Sequence, residues 1–236
     1  MAKILDSLLG LKLCGRRLDD YQKVRRLVGT WLRGKPGQFQ LLTERSIKIV
    51  NLGCGDRIVP AFFNVDIQWH AGMNACWDIT RPLPVPDHCL DGIFSEHCLE
   101  HFSRQDAARI LKDCLRMLKP GCGMRVVVPD AEKFARLYVK WLDGKDALLP
   151  YASASSRETG YTPLMALNRV FREHGHLYAY DFELLASLFA EAGFAGACRA
   201  EYSKGKNTLL IADSAYRAPE SLYIEAFAPQ LPTSRR

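Results

Sequence analysis

The chain has 236 residues, 48% of them hydrophobic and 25% charged, a balance that is typical of one globular domain and excludes a disordered or fibrous protein. Its apolar runs are shorter than the roughly 20 residues that a membrane-spanning helix needs. The eight cysteines form no CxxC pair and no framework of a small secreted fold, so we expect reduced thiols and a cytoplasmic protein.

The formal net charge of +6 is concentrated at one end of the chain. Residues 1–35 hold nine Lys or Arg against three Asp, and the remainder is neutral overall. This neutrality disfavours a nucleic-acid enzyme with a basic face across its core. We predict that residues 1–45 form a basic helical segment. Three roles stay open for it: a solvated helix, a peripheral contact of residues 1–35 with a membrane or an anionic polymer, and a lid over a ligand.

Strands and helices alternate along the rest of the chain. Short apolar runs between turn residues predict strands, and apolar residues at helical spacing predict helices. The predicted strands cover residues 47–52, 62–67, 90–95, 124–128, 196–202 and 208–212, and the predicted helices cover residues 104–118, 130–142 and 181–192. Because parallel strands need long crossovers, this order predicts an α/β, Rossmann-like fold, with a mostly parallel sheet and helices on both faces.

We predict a single domain over residues 46–214. Within it, residues 143–180 contain Gly, Ser, Pro and aromatic residues without a long periodic element, so we expect an insertion or lid on the substrate side. Residues 215–236 are predicted to be a C-terminal tail. Ligands of such sheets bind at the carboxyl ends of the strands, and the residues that follow each strand are therefore the candidate site.

The segment KIVNLGCGDRIVPAFFNVDIQ places two glycines after one predicted strand and Asp66 at the end of the next. The glycines let the backbone approach a ligand, and the carboxylate is suited to accept hydrogen bonds from a ribose diol. A nicotinamide cofactor fits poorly, because Ile58 replaces the third glycine of GxGxxG and Asp66 follows Gly55 by only eleven residues. This short connection leaves little room for a helix, and the chain has no GxxxxGK[ST] phosphate loop.

Asn51-Leu52-Gly53-Cys54-Gly55, Asn64-Val65-Asp66 and Ser95-Glu96-His97-Cys98-Leu99-Glu100-His101 together resemble the class I S-adenosylmethionine-dependent methyltransferases of the small-molecule type. The likeness is close over residues 46–130 and looser up to residue 212. It implies S-adenosyl-L-methionine as the cofactor and a small-molecule methyl acceptor, with a sugar or glycan-precursor hydroxyl as our expectation. The chain has no NPPY or DPPY string, which disfavours methylation of nucleobase amino groups.

The resemblance also implies which residues bind the cofactor. Gly53 and Gly55 would lie beside its methionine part, Asp66 would hold the ribose hydroxyls, and Asp78 would face the adenine amino group. Asn51 stands where many relatives have an acidic residue for the methionine ammonium. The full implied set is Asn51, Gly53, Cys54, Gly55, Asp66, Ile67, Asp78, Ile79, Ser95 and Glu96.

A hydroxyl acceptor needs a base, and imidazole is well matched to neutral pH. The candidate catalytic residues are His97, His101, His174 and His176. We favour His97 because it directly follows a predicted strand, and we expect His174 and His176 on the acceptor side. A purely structural role stays open for each.

Two other functions stay open. The string from His97 to His101 spells HxxEH, the zinc signature of inverted metallopeptidases, which requires both histidines on one helix. Here the string follows a strand and the next helix begins near Ser103 or Arg104, so we predict no metal. The other alternative is a cofactor-binding scaffold that has lost transfer.

Overall fold

The computed structural model describes residues 20–145 and 162–230, together with an antiparallel pair of two-residue strands, Lys12–Leu13 and Arg16–Arg17. Within these ranges, none of the helices combines the length and the apolar character needed to cross a membrane.

Seven strands form the main sheet, in the order β3-β2-β1-β4-β5-β7-β6. Strands β1 to β5 pair in parallel, and β7 is antiparallel to both β5 and β6. The bounds are Ile49–Leu52 (β1), Phe63–Asp66 (β2), Ala75–Cys76 (β3), Leu90–Glu96 (β4), Leu118–Pro129 (β5), Ala197–Ala200 (β6) and Ser221–Phe227 (β7). The predicted α/β, mostly parallel fold is confirmed.

The helices begin and end close to the predicted positions where strong caps exist. Ser103, Asp130 and Asp181 each accept a hydrogen bond from the backbone N–H three residues later, as N-caps do. Gly193 ends the last helix in the left-handed conformation. The bounds are Asp20–Leu32 (α1), Gln40–Thr43 (α2), Arg104–Met117 (α3), Ala131–Leu142 (α4), Pro163–Arg172 (α5) and Phe182–Ala192 (α6).

Alternate residues of the strands pack on opposite faces of the sheet, because strand side chains have a period of two. The larger core includes Ile110 of α3 and Leu188 of α6. The smaller core on the other face is completed by Phe62, from the loop before β2, and by Leu210. A loop and a short turn thus contribute to the smaller core.

The loop of residues 53–62 joins the parallel strands β1 and β2 without a helix, as the short connection predicted. Buried amides hold it instead. Asn64 donates to the carbonyls of Val59 and Phe62, at 3.0 Å each, and its own oxygen accepts from Val59 N and from Asn51 Nδ2. The carboxyl ends of β1 and β2 therefore stay open to a ligand.

Helix α1 packs on the residues that directly follow Asp66. Arg25 Nε donates to the carbonyl of Trp69 at 2.9 Å, and Trp69 N donates to the carbonyl of Arg25 at 3.3 Å. A Cβ on Gly29 would lie 2.9 Å from the carbonyl oxygen of Ile67, so the helix and this loop are in close backbone contact. Most of residues 1–19, and with them much of the predicted basic segment, lie outside the described residues.

The structure differs from the sequence expectations in three places. The strand predicted over residues 208–212 is wrong, since Thr208–Leu210 is a 3-10 turn. The strand that pairs with β6 is instead Ser221–Phe227, within the predicted C-terminal tail, and it is buried on both faces. Helix Pro163–Arg172 lies in the stretch where we expected no periodic element, and it buries Ala166 and Val170 one turn apart.

Candidate functional site

A cavity of about 90 Å³ lies at the carboxyl ends of β1 and β4, and we call it the glycine cavity. It brings together residues of the first glycine motif, the end of β4 and the segment before β7. Its lining consists of Asn51, Gly53, Cys54, Gly55, Asp56, Arg57, Phe94, Glu96, His97, Tyr216 and Arg217.

The two glycines of the motif are both in the left-handed region, with φ of 66° at Gly53 and 53° at Gly55. A Cβ on Gly53 would lie 2.0 Å from Cys98 Sγ, whereas a Cβ on Gly55 would meet no atom within 4 Å. Gly55 N donates to Asp66 Oδ2 at 2.9 Å, and Gln68 N donates to Oδ1 at 2.8 Å. The glycine loop thus leaves open space beside a fixed carboxylate, which fits the ribose and methionine parts of the implied cofactor.

Asn51 and Ser95 are engaged with neighbouring backbone. Asn51 is 2% exposed, and its Nδ2 donates to the carbonyl of Arg57 at 3.1 Å as well as to Asn64. Ser95 Oγ donates to the carbonyl of Leu52 at 3.1 Å and links β4 to β1. Both side chains therefore brace the sheet edge.

Glu96 is the buried acidic group of the glycine cavity. Arg57 Nε lies 3.1 Å from Glu96 Oε2, and the Glu96 side chain is only 5% exposed. Ser214 donates its backbone N–H to Oε1 at 2.8 Å and its hydroxyl to Oε2. This carboxylate is paired and hydrogen-bonded, as a buried charge must be.

Five implied cofactor residues lie outside the lining of the glycine cavity: Asp66 and Ser95, described above, and Asp78, Ile79 and Ile67. Asp78 Oδ1 accepts hydrogen bonds from Thr80 N at 3.1 Å and Thr80 Oγ1 at 2.7 Å, which stabilises its own turn. Ile79 is buried and lines a separate groove of about 540 Å³ against α3. Ile67 is 42% exposed beside α1.

A second cavity, of about 150 Å³, contains all four candidate histidines, and we call it the histidine cavity. It shares His97 and Arg217 with the glycine cavity. Its lining consists of His97, Glu100, His101, Pro129, Arg169, Val170, His174, His176, Arg217 and Glu220.

Backbone contacts join the two segments that carry these histidines. Glu100 and His101 belong to a 3-10 turn after β4, and the carbonyl of Glu100 accepts from Leu177 N at 2.8 Å and Tyr178 N at 3.1 Å. His97 and His174 have φ of 50° and 59°. Left-handed backbone at such residues costs about 1 kcal/mol or more each and concentrates at functional sites.

Both ring nitrogens of His97 already have partners. Arg217 Nη1 lies 2.9 Å from Nδ1, and Nε2 lies 2.8 Å from Ser221 Oγ. An arginine only donates, so Nδ1 carries the lone pair and Nε2–H donates to the serine. Burial, and then the charge of Arg217, lower the pKa of His97 to about 2. His97 is thus a neutral imidazole fixed between the two cavities.

Glu100 is 1% exposed, and neither carboxyl oxygen has a hydrogen-bond partner among the described residues. The nearest side-chain nitrogens to Oε1 are His97 Nδ1 at 3.4 Å and His176 Nε2 at 3.9 Å. Burial raises the pKa of Glu100 to about 8. Glu220, on the same cavity, has its pKa raised by burial to about 7.

The remaining histidines differ in depth. Burial lowers the pKa of His101 and of His176, whose ring centroids lie 5.0 Å apart. His176 Nδ1 lies 2.8 Å from the carbonyl oxygen of Val170 and therefore donates to it. His174 is exposed at the cavity mouth, with its ring 5.9 Å from that of His176.

The HxxEH string does not form the zinc motif of metallopeptidases. Leu99–His101 is a single 3-10 turn and the following helix begins at Arg104, so His97 and His101 do not share a helix. The nitrogens of His97 are also engaged with Arg217 and Ser221.

Sequence reasoning missed several residues of the site: Arg57, Arg169, Tyr216, Arg217 and Glu220. The last three precede β7, in the segment predicted as a tail. The aromatic and β-branched residues of Leu222–Phe227 were the available signal for that strand.

Comparison with known families agrees with this site. Residues 65–126 match the model of a methyltransferase domain. The match confirms, over about a quarter of the chain, the methyltransferase resemblance predicted from the sequence, which implies S-adenosylmethionine as the cofactor and a methyl acceptor as the second substrate. A search of curated proteins finds no match.

Solved structures with a similar fold include two archaeal S-adenosylmethionine-dependent methyltransferases. The protein from Archaeoglobus fulgidus is 16% identical, with a TM-score of 0.44 and coverage of 86% of this chain and 94% of that chain. The protein from Methanosarcina mazei is 13% identical, with a TM-score of 0.46 and coverage of 78% and 92%.

Proposed function

We propose that this methyltransferase methylates a hydroxyl of a small polar molecule, such as a sugar or glycan precursor, bound in the histidine cavity. The observation that carries the proposal is the junction of the two cavities at His97 and Arg217. An acceptor in one cavity then lies next to a cofactor in the other. The bound cofactor supplies a methyl group that its sulfonium has already activated.

The glycine cavity is proposed to hold the cofactor through Gly53 and Gly55, with Asp66, which accepts a hydrogen bond from Gly55 N, next to the cavity. Asn51 uses its amide within the protein, so we assign the acidic group at the amino-acid end of the cofactor to Glu96. Its carboxylate is fixed by Arg57 and Ser214 and lies on the cavity wall. Helix α1, packed on the loop after Asp66, is proposed to cover the ribose side.

The protein's part in the transfer is to align the acceptor oxygen, exclude water and receive a proton. A cavity of about 150 Å³ admits a small molecule or one end of a larger one. Its walls offer arginines, carboxyl groups and imidazoles, which suit a polar acceptor. His176 keeps its Nε2 lone pair directed away from Val170, and we assign proton acceptance to His176 and His101. His97 positions Arg217.

We also propose that the protein works in the cytoplasm, because the seven cysteines in the described ranges are all unpaired.

Calorimetric titration with S-adenosylmethionine, followed by methyl transfer to a panel of sugars and other polyols, tests the proposal. We expect micromolar binding, about −8 kcal/mol, that Asp66→Ala abolishes and the exposed-site control Asp87→Ala retains. Binding without transfer to any hydroxyl would contradict the acceptor assignment and favour the scaffold alternative. No binding to the folded protein would contradict the assignment of the glycine cavity.

A further inference from the structure

We propose that Glu100, His101 and His176 bind one divalent transition-metal ion in the histidine cavity. This ligand set differs from the two histidines of the HxxEH string, His97 and His101. It omits His97 and includes His176, which lies shortly after the end of α5. The catalytic consequence rests on the proposed function, but the binding of the metal does not.

The donor atoms of the three side chains lie close together. One ligand atom from each of the three side chains lies within 4.8 Å of the other two. A tetrahedral site with bonds of about 2.0–2.1 Å separates its ligand atoms by roughly 3.4 Å. The three side chains thus need only small rotations to close on an ion, and the bonds from Leu177 and Tyr178 to the Glu100 carbonyl already hold the two segments together.

The carboxyl group of Glu100 is a second observation in favour of a bound ion. It is buried, and no protein group satisfies either oxygen within the described part of the chain. A buried carboxyl without partners is costly, and native proteins keep one where a ligand or ion satisfies it. The surrounding nitrogens are imidazoles, which are metal ligands when neutral.

The hydrogen bond of the His176 ring is a third observation in favour of a bound ion. Its Nδ1–H donates to the carbonyl of Val170, which leaves Nε2 as the unprotonated nitrogen. This lone pair faces Glu100 Oε1 at 3.9 Å, an arrangement that is repulsive for a carboxylate unless a proton or a metal ion lies between the atoms. Metal-binding histidines characteristically donate their other N–H to a backbone carbonyl in this way.

Two imidazoles and one carboxylate are a known catalytic ligand set for zinc and related ions, and they leave coordination positions open. The open positions face the histidine cavity, where an acceptor oxygen would bind. A hydroxyl on such an ion loses its proton to water more readily, because the cation stabilises the alkoxide. The imidazoles would then act as ligands, and the ion would take over their role in deprotonation.

The test uses the full-length protein freed of metal with a chelator and dialysed. Calorimetry with Zn²⁺ and Co²⁺ gives the stoichiometry, and the visible spectrum of the Co²⁺ form distinguishes nitrogen and oxygen ligands from cysteine thiolates. The variants are Glu100→Gln and His176→Ala, with His88→Ala as the matched control, since His88 lies outside this cavity. Circular dichroism checks that each variant is folded.

We expect one ion per chain, with affinity reduced by at least about 100-fold in both ligand variants and unchanged in His88→Ala. Absence of binding, thiolate bands in the Co²⁺ spectrum, or equal affinity in all three variants would overturn the inference. Failure of the two proposals is distinguishable. Methyl transfer to hydroxyls by the metal-free protein would contradict a role of the metal in transfer and support the proposed function. Metal binding without such transfer would support the metal site and contradict the proposed function.

Discussion

In the glycine cavity the buried carboxylate of Glu96 accepts hydrogen bonds from Ser214, whereas in the histidine cavity the buried carboxyl group of Glu100 has no hydrogen-bond partner among the described residues. The lining of the glycine cavity comes from three stretches of sequence, residues 51–57, 94–97 and 216–217, and that of the histidine cavity comes from four, residues 97–101, 129, 169–176 and 217–220. On the function proposed above, we interpret the first cavity as pre-formed for the cofactor. We interpret the second as completed by its ligand or ion, which would satisfy the carboxyl group of Glu100.

The largest effect on the free energy of unfolding is expected from Gly53→Ala, which is compared with the separate variant Gly55→Ala. Both glycines have positive φ, but only at Gly53 does a Cβ collide with Cys98 Sγ. We expect Gly53→Ala to lower the free energy of unfolding by about 3 kcal/mol and Gly55→Ala by about 1 kcal/mol. Gly55→Ala should nevertheless lose cofactor affinity, because its methyl group enters the cavity. Denaturant titration and calorimetry measure the two quantities, and equal destabilisation would contradict the geometry.

Arg217→Ala tests the junction between the cavities. Arg217 donates to His97 and lies 3.3 Å from Glu220, so its loss frees two groups that line the acceptor side. We expect kcat/KM to fall by about 100-fold, or roughly 2.7 kcal/mol of transition-state stabilisation. Arg109→Ala is the control, because Arg109 pairs with Asp106 away from both cavities. Equal activity of the two variants would contradict a role of Arg217 and His97 in methyl transfer.

Much of the fold was predictable because its signals are local. The helices α3 and α6 and the glycine turn after β1 depend on neighbouring residues, and all three were predicted. Strand β7 was missed because burial on both faces removes the alternation that marks a strand. Asp78 was assigned by resemblance alone, and its role stays a prediction: its Oδ1 accepts hydrogen bonds from Thr80, and it lies outside the lining of the glycine cavity.

Glu100→Leu sharpens the contrast between satisfied and unsatisfied groups. Replacing a buried, unpartnered carboxyl group by an apolar side chain should raise the free energy of unfolding of the metal-free protein by about 1–2 kcal/mol while transfer is lost. The exposed control Glu191→Leu should leave both nearly unchanged. Thermal unfolding in the presence of chelator provides the measurement, and a large loss of stability in Glu100→Leu would show that the carboxyl group is structurally satisfied.

The smallest effect is expected at helix α1. A Cβ on Gly29 would press on the carbonyl of Ile67, whereas a Cβ on Gly37 would meet nothing within 4 Å. We expect Gly29→Ala to weaken cofactor binding by about threefold, close to 0.6 kcal/mol, and Gly37→Ala to leave it unchanged. Calorimetry measures the cofactor affinity of both variants, and identical affinities would contradict the proposal that α1 covers the ribose side of the cofactor.

We propose that the two cavities are halves of one methyl-transfer site. Cofactor affinity and methyl transfer are compared in wild type and His176→Ala, with a substrate identified from the acceptor panel. We expect a cofactor affinity within about twofold of wild type and a turnover reduced by at least about 100-fold. A His176→Ala enzyme with wild-type turnover would contradict this proposal.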